Sequence, residues 1–148
     1  IVDSRYAVRR FSGIGYVKQN DAEIAAAMGR ELVTTEDIVA AAEELRQELA
    51  AKGVLVTRGE LGMVLVEHGA VHEIPVSDKS EVFDVSGAGD TCVAAVILAL
   101  AAGIAPATAA RLSNIASGIA VRKLGTSTVS VRELAEAIEK SREEYTSK

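Results

Sequence analysis

The sequence predicts an α/β chain: helices layered on a mainly parallel sheet, with part of that sheet absent. Three observations lead to this. Short apolar runs alternate with helix-periodic segments in the first half, and helices dominate the second. Apolar residues make up 49% of the chain and aromatics only 3%, so the core must be built from Ala, Val, Ile and Leu, as where helices pack on buried parallel strands. A length of 148 residues fits one domain, since domains commonly run about 100–150 residues.

Residues 1–3 read as the end of a strand and 15–18 as a second short strand. Asn20 can cap a helix over 21–28, with Glu23 as its reciprocal partner at the third helical position. Thr34 or Thr35 opens a longer helix to about Ala51, in which Ile38, Ala41, Leu45 and Leu49 recur at helical spacing. Gly53 is expected to end it, and "VLVT" follows as a buried strand. Gly59 and Gly62 bracket a turn, and "MVLVE" and "VHEIPV" read as a hairpin joined near His68 and Gly69. After a loop at 77–87, a helix over 88–102 stops at Gly103. Pro106 starts the next helix, with Leu112, Ile115, Ala116 and Ile119 as its expected inner stripe. A "KLGTSTV" loop leads to the last helix, capped by Ser130 and Glu133.

Composition narrows the function classes. A formal net charge of -5 argues against a nucleic-acid surface. The longest apolar run, 92–102, is too short for a bilayer, which needs about 20 residues. Cys92 is the single cysteine and suits a reducing, cytoplasmic setting. The opening "IVDSR" reads as a strand end running into a loop, so the chain is expected to be a piece of a longer protein. His68 and His72 have no Cys or acidic cluster at metal-ligand spacing and read as exposed polar residues. The charge runs "EELRQE" and "SREEYTSK" read as solvated helix faces.

The stretch that carries chemistry is "DVSGAGDT", residues 84–91. A helix N-terminus exposes unpaired N–H groups and the positive end of the macrodipole. Glycines let that backbone approach a phosphate with no Cβ in the way. Gly87, Ala88 and Gly89 could aim N–H donors at an oxyanion, and such donors are typically worth about 3–4 kcal/mol each in a transition state. Asp90 follows in the first helical turn. A carboxylate is a weak base, but phosphoryl transfer has a loose transition state and the attacking hydroxyl loses its proton late. The alternative is ordinary turn and dipole chemistry. A dinucleotide fingerprint wants a third glycine where Cys92 stands.

"DVSGAGDT" resembles the D-T-x-G-A-G-D signature of the PfkB (ribokinase-like) sugar kinases, with Val85 at the position that is often Thr. The resemblance implies a three-layer α/β/α ribokinase-like fold. It implies Asp90 as catalytic base and Gly87, Ala88 and Gly89 as the anion hole. "NDAE", from Asn20 to Glu23, resembles the N-x-x-E motif near the nucleotide phosphates and Mg²⁺, often acting through water. The residue before it, often Pro in that family, is Gln19. "VTRGELG" resembles the strand-turn lining the ATP site, here Thr57 and Gly59. "RLSNIASGIAVRKLGTSTVS" resembles the adenine-side helix and its following loop, with Asn114 at the family's recurrent Asn.

Within the family, "LVTRGELGM", "FDVSGAGDT" and "KLGTSTVS" look most like kinases that phosphorylate the anomeric hydroxyl of D-glycero-D-manno-heptose 7-phosphate, on the way to ADP-heptose for lipopolysaccharide. Other sugars or nucleosides are the nearest rivals, and a truncated nucleotide-binding module is another. The resemblance covers the C-terminal, nucleotide-binding part of the family's domain. The N-terminal part, with most sugar contacts and a lid, is not represented. ATP and Mg²⁺ are the implied small molecules, with K⁺ an option near Asp84 and the 122–127 loop. Arg58 either approaches phosphate or lies on the surface. Asp84 either faces a Mg²⁺-side water or fixes its loop. Asn114 either contacts ligand or faces solvent. An incomplete sheet also predicts an exposed edge and an apolar patch, hence self-association.

Overall fold

The computed structural model describes residues 1–76 and 82–146, with side chains described through Ser141. The expected solvated tail beyond Ser141 and the loop over 77–81 lie outside the described side chains and residues. The chain divides into two compact units, Ile1–Pro75 and Val76–Lys148.

In the first unit β1 (Val2–Asp3), β2 (Tyr16–Asn20), β3 (Gly53–Thr57), β4 (Met63–Glu67) and β5 (Ala70–Ile74) lie side by side in chain order. β1, β2 and β3 are parallel. β4 returns antiparallel to β3, and β5 antiparallel to β4. The sheet is therefore mixed: its last two strands are joined through His68 and Gly69 alone, a connection that permits only an antiparallel hairpin. The crossover between parallel β2 and β3 carries α1 (Asp21–Met28) and α2 (Thr35–Glu48). Alternation along the strands puts Val17, Val54, Val56, Val64 and Val66 on the face that meets Ile24 of α1 and Ile38, Ala41, Ala42 and Leu45 of α2. A 3-10 turn at Val8–Arg10 adds Val8 to this core. Arg9 fastens the turn with two donations to the Glu48 carboxylate, each 2.7 Å, and one to the Ala27 carbonyl.

Two boundaries differ from expectation, and one contact explains both. Gly53 does not end α2. The helix stops at Glu48, and Ala50 makes the left-handed exit at φ +47. Gly53 instead begins β3, and a Cβ there would stand 2.7 and 2.9 Å from Tyr16 ring carbons. The ring lies across that space because its hydroxyl donates to Glu67 Oε1 at 2.8 Å. Burial, and then the Glu67 carboxylate, push the phenol up to about 12. His68 is exposed, whereas His72 is half-buried with its Nε2 3.8 Å from Glu67.

The second unit holds α3 (Ala88–Ala101), α4 (Pro106–Ala120) and α5 (Val131–Thr146). α3 and α4 form an antiparallel hairpin: Ala88 meets Ser117 and Cys92 meets Ser113, so one index falls as the other rises. The Gly103 exit is left-handed, at φ +79, and Ile104 N–H returns to the Ala99 carbonyl. The buried face of α4 is Ala109, Ala110, Ser113, Asn114, Ala116, Ile119 and Ala120. Leu112 and Ile115, expected on the inner stripe, are only half-buried. Small side chains take the inner positions because they let two helices approach closely. On α3, Asp90, Ala94, Ile97, Leu98 and Ala101 form an exposed stripe, with Leu98 70% exposed. Among the described residues no helix is long and apolar enough to cross a membrane.

Two predictions follow from these contacts. Gly53→Ala forces the Tyr16 ring off Glu67 and is expected to cost about 1–3 kcal/mol in urea unfolding, more than Tyr16→Phe. At α5, Glu133 accepts from Ser130 N–H and Oγ and from Lys123 Nζ, which holds its carboxyl down at about 2. A depressed carboxyl stabilises above its ordinary value, 4.5, and that stabilisation is lost as pH falls toward 2. Hydrogen-exchange protection across the first turn of α5, corrected for the intrinsic rate at each pH, is expected to fall over that window, and to stay flat there in Glu133→Gln.

Candidate functional site

In the first unit the candidate residues stand at the C-terminal ends of the parallel strands, where open α/β sheets bind ligands. Asn20 ends β2 and lies opposite Thr57, the last residue of β3. Asn20 Oδ1 accepts from Glu23 N–H at 2.7 Å, and Glu23 Oε2 accepts from Asn20 N–H at 2.9 Å, closing the expected capping box. Glu23 Oε1 has no protein donor among the described residues. Gln19 does not loosen this entry. It is fully buried, and its amide donates to the carbonyls of Ser4 and Lys18 at 3.2 and 2.8 Å, tying the exit of β1 to β2. Its Oε1 is buried without a partner. Sequence reasoning saw Gln19 only as a departure from Pro.

Thr57 Oγ1 lies 3.5 Å from the Gln19 carbonyl, a long contact that leaves the hydroxyl available. Arg58 donates to Thr35 Oγ1 at 2.9 Å, so its guanidinium joins the end of β3 to the start of α2. Gly59 turns with φ +53 and open space around it, and Arg58 N–H bonds the Gly62 carbonyl across the turn. Among the described residues no three His, Cys, Asp or Glu side chains cluster at ligating distance. A Mg²⁺ ion held mainly by nucleotide phosphates and water fits this donor set, with the spare Glu23 oxygen as an outer partner.

In the second unit Gly87 is the N-cap of α3, at φ +78, a conformation that favours glycine. A Cβ there would also meet Thr126 Cγ2 at 3.2 Å. No side chain caps this helix. The Ala88 N–H is already donated to the Val85 carbonyl at 3.2 Å, so Ala88 contributes less than the anion-hole expectation gave it. The N–H groups of Gly87, Gly89 and Asp90 have no protein acceptor among the described residues. Asp90 is exposed beside them, in the first turn. Asn114 is buried, 6% exposed, so it does not face solvent.

Asp84 accepts from two backbone N–H groups. Its Oδ1 accepts from Ser86 N–H at 2.8 Å and its Oδ2 from Gly125 N–H at 3.1 Å. The Ser86 bonds, then Gly125, hold the carboxyl below its usual value. It fixes its loop. Ser117, Gly125 and Thr126 lie inside the stretches quoted above, but their partners Ala88, Asp84 and Gly87 were not legible in the sequence.

Bifunctional protein HldE of Halorhodospira halophila is 43% identical over 141 residues, covering 93% of this chain and 29% of that protein. Phosphofructokinase-2 from Escherichia coli in complex with substrates and products superposes with a TM-score of 0.85 at 27% identity, covering 95% of this chain and 47% of that one. The same enzyme in complex with potassium gives 0.82 at 26% identity, covering 92% and 43%. The chain thus spans under a third of the HldE relative and about half of the phosphofructokinase-2 chain, and it has their ribokinase-like α/β fold. Residues 4–133 match the pfkB family carbohydrate kinase domain, and the chain belongs to that family.

Proposed function

We propose that these residues form the nucleotide- and phosphoryl-handling part of an ATP-dependent sugar kinase acting in the cytoplasm. The proposed acceptor is the anomeric hydroxyl of D-glycero-D-manno-heptose 7-phosphate. One observation carries the reading: α3 begins without a side-chain cap, three N–H donors lack acceptors among the described residues, and Asp90 is exposed in the same turn. Such donors suit the charge spread over a transferring phosphoryl group, and Asp90 suits the late removal of the attacking hydroxyl's proton. Asn20, Glu23, Thr57, Arg58, Gly59 and Asn114 are assigned to the nucleotide side. Mg²⁺ bound with ATP supplies further neutralisation of phosphate charge. K⁺ is an option that the potassium complex of phosphofructokinase-2 supports.

The heptose assignment rests on the three stretches quoted above and on identity: 43% to the HldE protein against 27% to phosphofructokinase-2. The exposed stripe of α3, with Ile97 and Leu98, supports pairing with a second copy. A second reading has the 148 residues by themselves bind nucleotide without turnover. It is favoured by their matching only 47% of the phosphofructokinase-2 chain.

In the full-length protein Asp90→Asn is expected to lower kcat about 100- to 10,000-fold while ATP still binds in calorimetry. Near-normal turnover in that variant would refute the role given to Asp90. A panel of sugar acceptors tests the substrate: activity confined to a sugar other than a heptose phosphate rejects the assignment.

A further inference from the structure

We infer that Arg5 is a further phosphate-binding residue, held at the ligand edge of the sheet by the buried carboxamide of Gln19. The inference rests on the kinase reading above and adds to it a cation that the motifs do not name.

Gln19 is costly where it stands. It belongs to β2, on the face it shares with Val17, and it is fully buried. Its Nε2 donates to the Ser4 and Lys18 carbonyls, at 3.2 and 2.8 Å, and its Oε1 is left without a partner. A buried acceptor with no donor weakens a fold, and an apolar side chain of similar volume would avoid that. What the carboxamide adds is one more rung. β1 pairs with β2 over Val2 and Asp3 only, and the donation to Ser4 ties the chain to β2 one residue further along. Ser4 thus leaves the C-terminal end of a parallel strand on the edge that carries Asn20 and Thr57. Arg5 is the next residue.

Arg5 is exposed, and its guanidinium carbon lies 5.6 Å from the centre of the Tyr6 ring, itself 90% exposed. Among the described residues Arg5 has no carboxylate partner. Other arginines of the first unit are engaged: Arg9 with Glu48, Arg30 with Glu44, Arg46 with Glu43 and Arg58 with Thr35 Oγ1. Arg10 also lacks a carboxylate partner among the described residues, but it ends the 3-10 turn and follows no strand. A planar guanidinium takes a phosphate through two parallel donations, and an aromatic ring beneath it limits its freedom beforehand. A kinase acting on a sugar phosphate meets two such groups, one on the nucleotide and one on the acceptor. The recognition chemistry is the same for both.

The test uses the full-length protein. Calorimetry reads Kd for ATP with Mg²⁺, and steady-state assays read KM for D-glycero-D-manno-heptose 7-phosphate. Arg5→Gln is expected to raise one of the two about 10- to 100-fold, by less as NaCl is raised, and Arg5→Lys to stay within about fivefold of the parent. A rise in Kd assigns the nucleotide's phosphate, and a rise in KM the acceptor's. Gln19→Met keeps the volume and removes the tether. It is expected to raise the same constant about three- to tenfold and to speed hydrogen exchange over 4–8. In the Arg5→Gln background it is expected to add less than about twofold, because it acts through Arg5. Gln19→Asn, which shortens the reach to Ser4, gives the same reading where the Met variant does not fold. An equal loss with Arg5 absent overturns the positioning role of Gln19. Kd and KM both within about threefold of the parent in Arg5→Gln overturn this inference alone. A parent that binds no ATP overturns the kinase reading and this inference with it, so the two failures stay distinct.

Discussion

A helix begins with backbone N–H groups that the helix itself cannot satisfy, and the helices here meet that constraint in different ways. α1 is closed by Asn20 and Glu23, α2 by Thr34 and Asp37, and α5 by Ser130 and Glu133, each through reciprocal side-chain and backbone bonds. α4 starts on Pro106, which removes one such N–H, and like α3 it has no side-chain cap. Among these described helices only α3 begins on a bare glycine. Capping was available at little cost in sequence, since Ser, Thr, Asn or Asp at the N-cap contributes roughly 1 kcal/mol to a helix. The start of α3 forgoes that contribution and leaves its donors open, which is what binding an anion through the backbone requires.

An uncapped start has to be held in shape by something else. The left-handed Gly87 supplies the bend, and the surroundings supply the hold: Thr126 against Gly87, Ser117 on the Ala88 carbonyl, Val121 on the preceding amides. The inner face of α4 serves this too. Ala109, Ser113, Ala116 and Ala120 are small, and small residues bring the α4 backbone near enough for Ser117 to reach across to α3. The residue sizes along α4 and the open donors on α3 are therefore parts of one arrangement.

Much of the fold was legible in the sequence, because period and punctuation are local. The valine alternation of "VLVT" and "MVLVE", the capping pairs, Gly103 and Pro106 all place elements where the structure has them. The misreadings share one cause. Leu112 and Ile115 drew the inner stripe of α4 by hydrophobicity, whereas close helix packing selected small residues. Gly53 was read as a helix stop because glycine commonly is one, whereas its missing Cβ makes room for an aromatic ring from another strand. The same limit applies at the site. "DVSGAGDT" and "NDAE" were visible as strings, but the roles of Gln19, Ser117 and Thr126 depend on partners 15 to 39 residues away, beyond any periodic signal.

A phosphoryl site built from main-chain amides, as proposed for the start of α3, has a further consequence. Backbone donors are the same whatever side chains surround them, so the transfer machinery can stay fixed while the acceptor changes. A TM-score of 0.85 to a phosphofructokinase at 27% identity is what such machinery produces. Structural likeness in this part of the chain therefore reports the shared backbone and says little about the sugar. The acceptor is read by side chains, which are free to diverge under a constant backbone. Sequence identity, higher by some 16 points toward the HldE protein, is for that reason what the heptose proposal leans on.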